Sequence, residues 1–123
     1  RLSRKYSTIE QKGVGNIMFR FNQDCIPTPC EPGVTRKVMS YTDDVMMCEI
    51  TFAAGAQGNA HSHPHTQVTY VAEGKFDFTI DGETKTVCRG DSVLMPPHAV
   101  HSVVCLEAGK LVDVFTPKRE DFI

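Results

Sequence analysis

Apolar and polar residues alternate along most of this chain, with the period of an extended strand rather than of a helix. In Asp44–Phe52 the set Met46, Cys48, Ile50, Phe52 opposes Val45, Met47, Glu49, Thr51. In Lys75–Asp81 the apolar set Phe76, Phe78, Ile80 opposes Lys75, Asp77, Thr79, Asp81. Asp81-Gly82 then supplies the two-residue turn of a tight hairpin, because both central positions want positive φ, and Glu83–Cys88 becomes the returning strand. The same reading predicts strands at Ile17–Phe21, Val34–Ser40, Gln67–Ala72, Ser92–Met95, Val100–Leu106 and Lys110–Phe115. Turn residues punctuate them at Thr42–Asp44, Gly55–Asn59, Glu73-Gly74, Arg89–Asp91, Pro96-Pro97 and Glu107–Gly109. About nine short strands with regular turn signals predict an all-β antiparallel sandwich or barrel.

The chain has 123 residues, enough for one domain with a real core. Residues 1–21 are more basic and less patterned, and read as an N-terminal extension: an extra helix, or a strand added to a partner's sheet. The barrel domain is then 22–123. A formal charge of −2 leaves no broad basic face, which argues against nucleic acid as a partner. No apolar run reaches the ~18–20 residues of a membrane span. Five cysteines (Cys25, Cys30, Cys48, Cys88, Cys105) are an odd number, and with no secretory h-region they read as reduced, buried thiols in a cytoplasmic protein. A bridge between Cys25 and Cys30 across the Pro-rich turn is conceivable on spacing alone.

Candidate chemistry gathers at the histidines. His61, His63 and His65 alternate along one stretch, with His98 and His101 in another. Imidazoles two residues apart on a strand share a face and converge on one cation, for which His101 on another strand is a third ligand. Gln67 shares the parity of His61 and His63. His65 reads either as an extra ligand or as a polar residue turned outward by Pro64, and His98 as a solvated residue at the barrel mouth. In the C-terminal segment Asp113 and Phe115 share a strand face, with Val112 and Val114 expected on the core face. A carboxylate on the barrel side needs a hydrogen bond or a task. Arg119 has the planar fork that clamps a carboxylate.

The spacing Gly55, five residues, His61-Ser62-His63, three residues, Gln67, six residues, Gly74 resembles the first motif of the cupins, with Gln in place of their Glu. Gly90, Pro96 and His101 match the second cupin motif, with His98 replacing its Gly and Cys105 its Asn. The resemblance implies a small β-barrel or jelly roll holding one divalent transition metal (Zn, Ni, Mn, Fe or Co) on His61, His63, Gln67 and His101. Gln67 is a neutral ligand, so such a centre keeps its full positive charge and favours an anion; as an alternative, Gln67 only hydrogen-bonds to three-His ligation. Together with His63–Gln67 and Cys105–Gly109, the ending Asp113-x-Phe115-x-Pro117-x-Arg119-Glu120-Asp121-Phe122 is similar to the pectin-degradation cupins of the KdgF type. That similarity implies conversion of 4,5-unsaturated uronate monosaccharides to linear ketonised sugars, with Asp113 in acid–base work, Arg119 on the carboxylate and Phe115 shaping the pocket. Its partner is a small anionic sugar or another carboxylate metabolite, and a homodimer is the default assembly for a barrel with open sheet edges. The rival readings are an Fe(II) three-His dioxygenase, a non-catalytic metal-dependent sugar- or metabolite-binding cupin, and a sugar-phosphate isomerase, the last without an evident phosphate nest.

Overall fold

The computed structural model describes residues 17–123. Eight strands form: β1 (Thr28–Pro29), β2 (Val34–Tyr41), β3 (Met46–Phe52), β4 (Gln57–His61), β5 (Thr66–Ile80), β6 (Glu83–Cys88), β7 (Ser92–Met95) and β8 (His101–Thr116). Every pairing is antiparallel. β5 and β8 are long and lie side by side, and each half of the pair recruits different neighbours. The first half of β5 and the second half of β8 are flanked by β7 on one side and β3, β2, β1 on the other. The second half of β5 and the first half of β8 are flanked by β6 and β4. The result is two sheets that share two strands. Their inner faces meet across one interior, where the Phe52 and Phe76 rings pack edge to face with centroids 5.3 Å apart.

The predicted alternation in β3 holds residue by residue: Met46, Cys48, Ile50 and Phe52 are buried, and Met47, Glu49 and Thr51 are not. The hairpin of β5 and β6 closes on Asp81 at φ 48 and Gly82 at φ 87, as its turn chemistry requires.

Several expectations are corrected. Glu73-Gly74 and Glu107–Gly109 do not end strands; β5 and β8 run through them. The two backbones cross there so closely that a Cβ on Gly74 would lie 2.6 Å from the Glu107 carbonyl oxygen. Glycine at 74 and 109 thus lets one long pair bend between sheets instead of turning back. Register shifts between Val71 and Phe76 also flip the inward parity of β5, from Gln67, Thr69 and Val71 to Phe76 and Phe78. Gly55–Asn59 is only partly a turn, since β4 begins at Gln57. Ile17–Phe21 is not a strand: it finds no sheet edge, leaves Met18 88% exposed, and is tied to β2 by Arg20, which donates to the Val38 carbonyl at 3.3 Å. Val112 and Val114 face outward, half-buried, because Leu111 and Phe115 take the core side. Val114 lies in a cross-strand row with Met47, Val68 and Leu94 on the outer face of the first sheet.

All five cysteines are free, but only Cys48 and Cys105 are buried; Cys30 and Cys88 are exposed. The core reading fails for the latter two because Cys30 follows the short edge strand β1 and Cys88 ends the edge strand β6. Among the described residues no helix is long and apolar enough to cross a membrane. Most of the predicted N-terminal extension, residues 1–16, lies outside the described residues.

Candidate metal centre

Strand pairing brings the histidines together. His61, the last residue of β4, is the register partner of His101, the first of β8, and their rings lie 4.3 Å apart. His63 follows in the connection to β5, its ring 5.0 Å from His101. One ligand nitrogen from each residue lies within 4.8 Å of the others. His61 Nδ1 donates to the Asn59 carbonyl at 2.8 Å and His101 Nδ1 to the Ala99 carbonyl at 3.0 Å. A backbone acceptor on Nδ1 fixes the tautomer and leaves Nε2 as a lone pair, the arrangement found behind metal-ligating histidines.

His101 Nε2 is buried with no hydrogen-bond partner among the described residues, which is costly for a polar atom unless a ligand satisfies it. Burial also pulls the His101 pKa down to about 4 and lowers that of His63, so protons compete weakly for these nitrogens. Three imidazoles with their nitrogens so gathered fit a divalent transition metal.

A hydrogen-bonded chain leads away from this cluster. His63 Nε2 donates to Gln67 Oε1 at 2.9 Å, Gln67 Nε2 donates to Thr69 Oγ1 at 3.0 Å, and Thr69 Oγ1 donates to Asp113 Oδ1 at 2.6 Å. Gln67, Thr69 and Asp113 face inward because Gln67 pairs with Phe115 and Thr69 with Asp113 across β5 and β8. A cation held by both His63 Nε2 and Gln67 Oε1 would take the place of the proton they share here, and the same amide orients Thr69. Desolvation raises the Asp113 pKa to about 6, against the hydrogen bonds from Thr69 and Gln67 and the positive charge of Arg119. A carboxyl group poised there can both take and give a proton near neutral pH.

A cavity of about 400 Å³ is lined by His61, Gln67, His101, Asp113, Phe115 and Arg119 among others. That is large enough for a small metabolite. Arg119 is present in the lining, but its Nε and Nη2 are held by Asp121 at 3.1 and 2.9 Å, leaving Nη1 unengaged by that carboxylate. Its guanidinium carbon lies 5.2 Å from the Phe115 ring centroid and 4.2 Å from that of Phe122.

His65 lies outside the three-His group and is not turned fully outward. It is half-buried, with Nε2 bonded to the Lys118 carbonyl at 3.1 Å and its ring 5.3 Å from that of His63. His98 is exposed at φ 68, a left-handed conformation that explains why the motif carries glycine there; its N–H donates to the His63 carbonyl at 2.8 Å. Sequence reasoning missed Thr69 and Arg36, and gave Phe122 no role beyond its place in the C-terminal motif. Thr69 shares the parity of Gln67 and so was within reach of a period-2 reading; Arg36 carries no local signal.

Comparison with known proteins agrees with this geometry. A family model described as a cupin domain matches residues 48–115. The pectin degradation protein KdgF of Dickeya dadantii is 43% identical over 93 residues, spanning 74% of this chain and 84% of that protein. Among solved structures, an RmlC-like cupin from Shewanella frigidimarina superposes with a TM-score of 0.84 at 38% identity, covering 87% of this chain and 96% of that one. KdgF from a Halomonas species gives 0.83 at 34% identity, covering 87% and 99%. The chain therefore belongs to the cupin family.

Proposed function

We propose that this cupin is a metal-dependent enzyme that opens and ketonises 4,5-unsaturated uronate monosaccharides, the sugars that pectin or alginate lyases release. The observation that carries the reading is that Asp113, with a pKa of about 6, lines one cavity with a guanidinium group and with His61 and His101 of the three-His cluster. The KdgF relatives support the substrate class by their names.

A divalent ion on His61, His63 and His101, with Gln67 as fourth ligand, supplies Lewis-acid polarisation of a sugar oxygen. The rest of the chemistry falls to the side chains. Asp113 takes the proton of the anomeric hydroxyl as the C1–O5 bond breaks and C1 becomes a carbonyl. The electron pair left on O5 makes an enolate with the C4=C5 bond, and the proton is delivered to C4. The product is an isomer of the substrate: no water is consumed and no oxidant is needed. Thr69 holds Asp113 through its 2.6 Å hydrogen bond, Phe115 walls the pocket, and Arg119 offers the carboxylate its Nη1, which Asp121 leaves unengaged.

The test is to incubate metal-loaded protein with unsaturated galacturonate and follow the C4=C5 absorbance near neutral pH, with an oxygen electrode in the same vessel. Accelerated loss without oxygen uptake is the expected result. An unchanged rate sinks the reading, and oxygen consumption with Fe(II) alone replaces it with the dioxygenase.

A further inference from the structure

Arg36 is a charged residue on the inner face of β2, opposite the buried Ile50, and it lines the same cavity as the histidines. Among the described residues its buried Nε has no hydrogen-bond partner, and its Nη1 donates to the weakly accepting Cys30 sulfur at 3.5 Å. Among the described residues no carboxylate forms a salt bridge with it. Its guanidinium carbon lies 3.7 Å from the Phe122 ring centroid, and that of Arg119 lies 4.2 Å from the same centroid.

Two positive charges thus crowd one aromatic ring at the cavity wall. Arg119 is neutralised by Asp121 through a two-pronged bond; among the described residues Arg36 has no such partner. Arg36 is half-buried with its Nε donor unsatisfied, and an arriving carboxylate supplies both the missing acceptor and the missing counter-charge.

We propose that Arg36 is a substrate-binding residue that determines specificity for acidic sugars. It supplies the main charge-assisted hydrogen bonds to the sugar carboxylate, while Arg119 Nη1 completes the clamp and Phe122 holds both guanidinium groups by their faces. The proposal rests on the uronate reading for the identity of the anion, but its test does not depend on turnover.

Two unreactive sugars, galacturonate and galactose, are titrated by NMR into the unaltered chain and into Arg36→Met and Arg36→Lys, with and without a divalent metal. The unaltered chain prefers galacturonate. Arg36→Met weakens galacturonate binding about ten- to a hundredfold and leaves galactose binding unchanged. Arg36→Lys, which keeps the charge but loses the fork, retains part of the preference and guards against a folding defect in the Met variant. A purely structural role, supporting Phe122, would instead weaken both sugars alike, and that result overturns the proposal. So does a preference undiminished in Arg36→Met, or no preference in the unaltered chain. With unsaturated galacturonate, Arg36→Met raises KM and largely spares kcat. Turnover with no Arg36 effect removes this assignment alone. An Arg36-dependent preference in a chain that shows no turnover keeps the anion subsite and removes the reaction.

Discussion

The two sheets bring different chemistry to the cavity they share. The sheet containing β4 and the start of β8 contributes imidazoles, His61 and His101, set side by side by strand register and backed by main-chain carbonyls. The sheet containing β2, β3 and the end of β8 contributes a carboxyl group and a guanidinium, Asp113 and Arg36, together with Thr69 from β5. His63 and Gln67 join them, through a 2.9 Å contact between imidazole and amide. On the proposed reading, cation binding draws on one wall, with Gln67 reaching it from β5, and proton handling with anion recognition draws on the other. Each wall can therefore be damaged while the other stays intact.

The largest effect is expected on the histidine wall. His101→Ala removes the buried Nε2 and should abolish stoichiometric metal binding, lowering turnover by about 10³-fold or more. Metal analysis of the purified variant beside its rate checks this, and circular dichroism checks that the sheets persist. Full metal content in His101→Ala would mean that the cation lies elsewhere.

Next come changes on the opposite wall, which should leave metal content untouched. Asp113→Asn is expected to lower kcat by about 10²–10³-fold, the loss of a proton-transfer group. Thr69→Val, which breaks the link between Gln67 and Asp113, should cost about 10–100-fold, the usual size of losing an orienting partner. Without the Thr69 hydrogen bond, which favours the charged carboxylate, the Asp113 pKa rises further, so the acidic limb of the pH–rate profile moves to higher pH in Thr69→Val. If Thr69→Val costs as much as His101→Ala and sheds metal with it, the two walls are not separable.

The smallest effect concerns packing beneath the carboxyl wall. Cys48 pairs with Asp113 across β3 and β8, and burial, with the nearby Asp113 charge second, pushes its thiol up to about 12. At pH 8 it stays a thiol and should resist alkylation in the folded protein while exposed Cys88 reacts, as peptide mass analysis before and after denaturation will show. Rapid labelling of Cys48 would mean that this wall opens to solvent.

The sites differ in how legible they are. The histidine wall can be read from the chain because its residues sit close in sequence at the strand period, inside spacings that resemble a known motif. Asp113, Phe115 and Arg119 were nameable only as a pattern in the C-terminal segment, and nothing local told which face of β8 was inward: Val112 and Val114 are as apolar as any core pair. Inner or outer was decided by pairing with β3 and β5, which sets Leu111, Asp113 and Phe115 on the cavity side. Thr69 acquires its role from a partner 44 residues away.

By itself the sequence determined the all-β class, the hairpin at Asp81-Gly82, the alternation of β3 and the histidine cluster. These depend on the period-2 geometry of strands and on turn dihedrals, which are local properties. Tertiary structure alone decided that β5 and β8 bend at Gly74 and Gly109 rather than stop, that β5 switches inward parity after Val71, and that Arg36 and Arg119 meet over Phe122. These depend on which backbones pass close enough to exclude a side chain and on which strands pair across the whole chain. Residue order carries that information only through the folded packing itself.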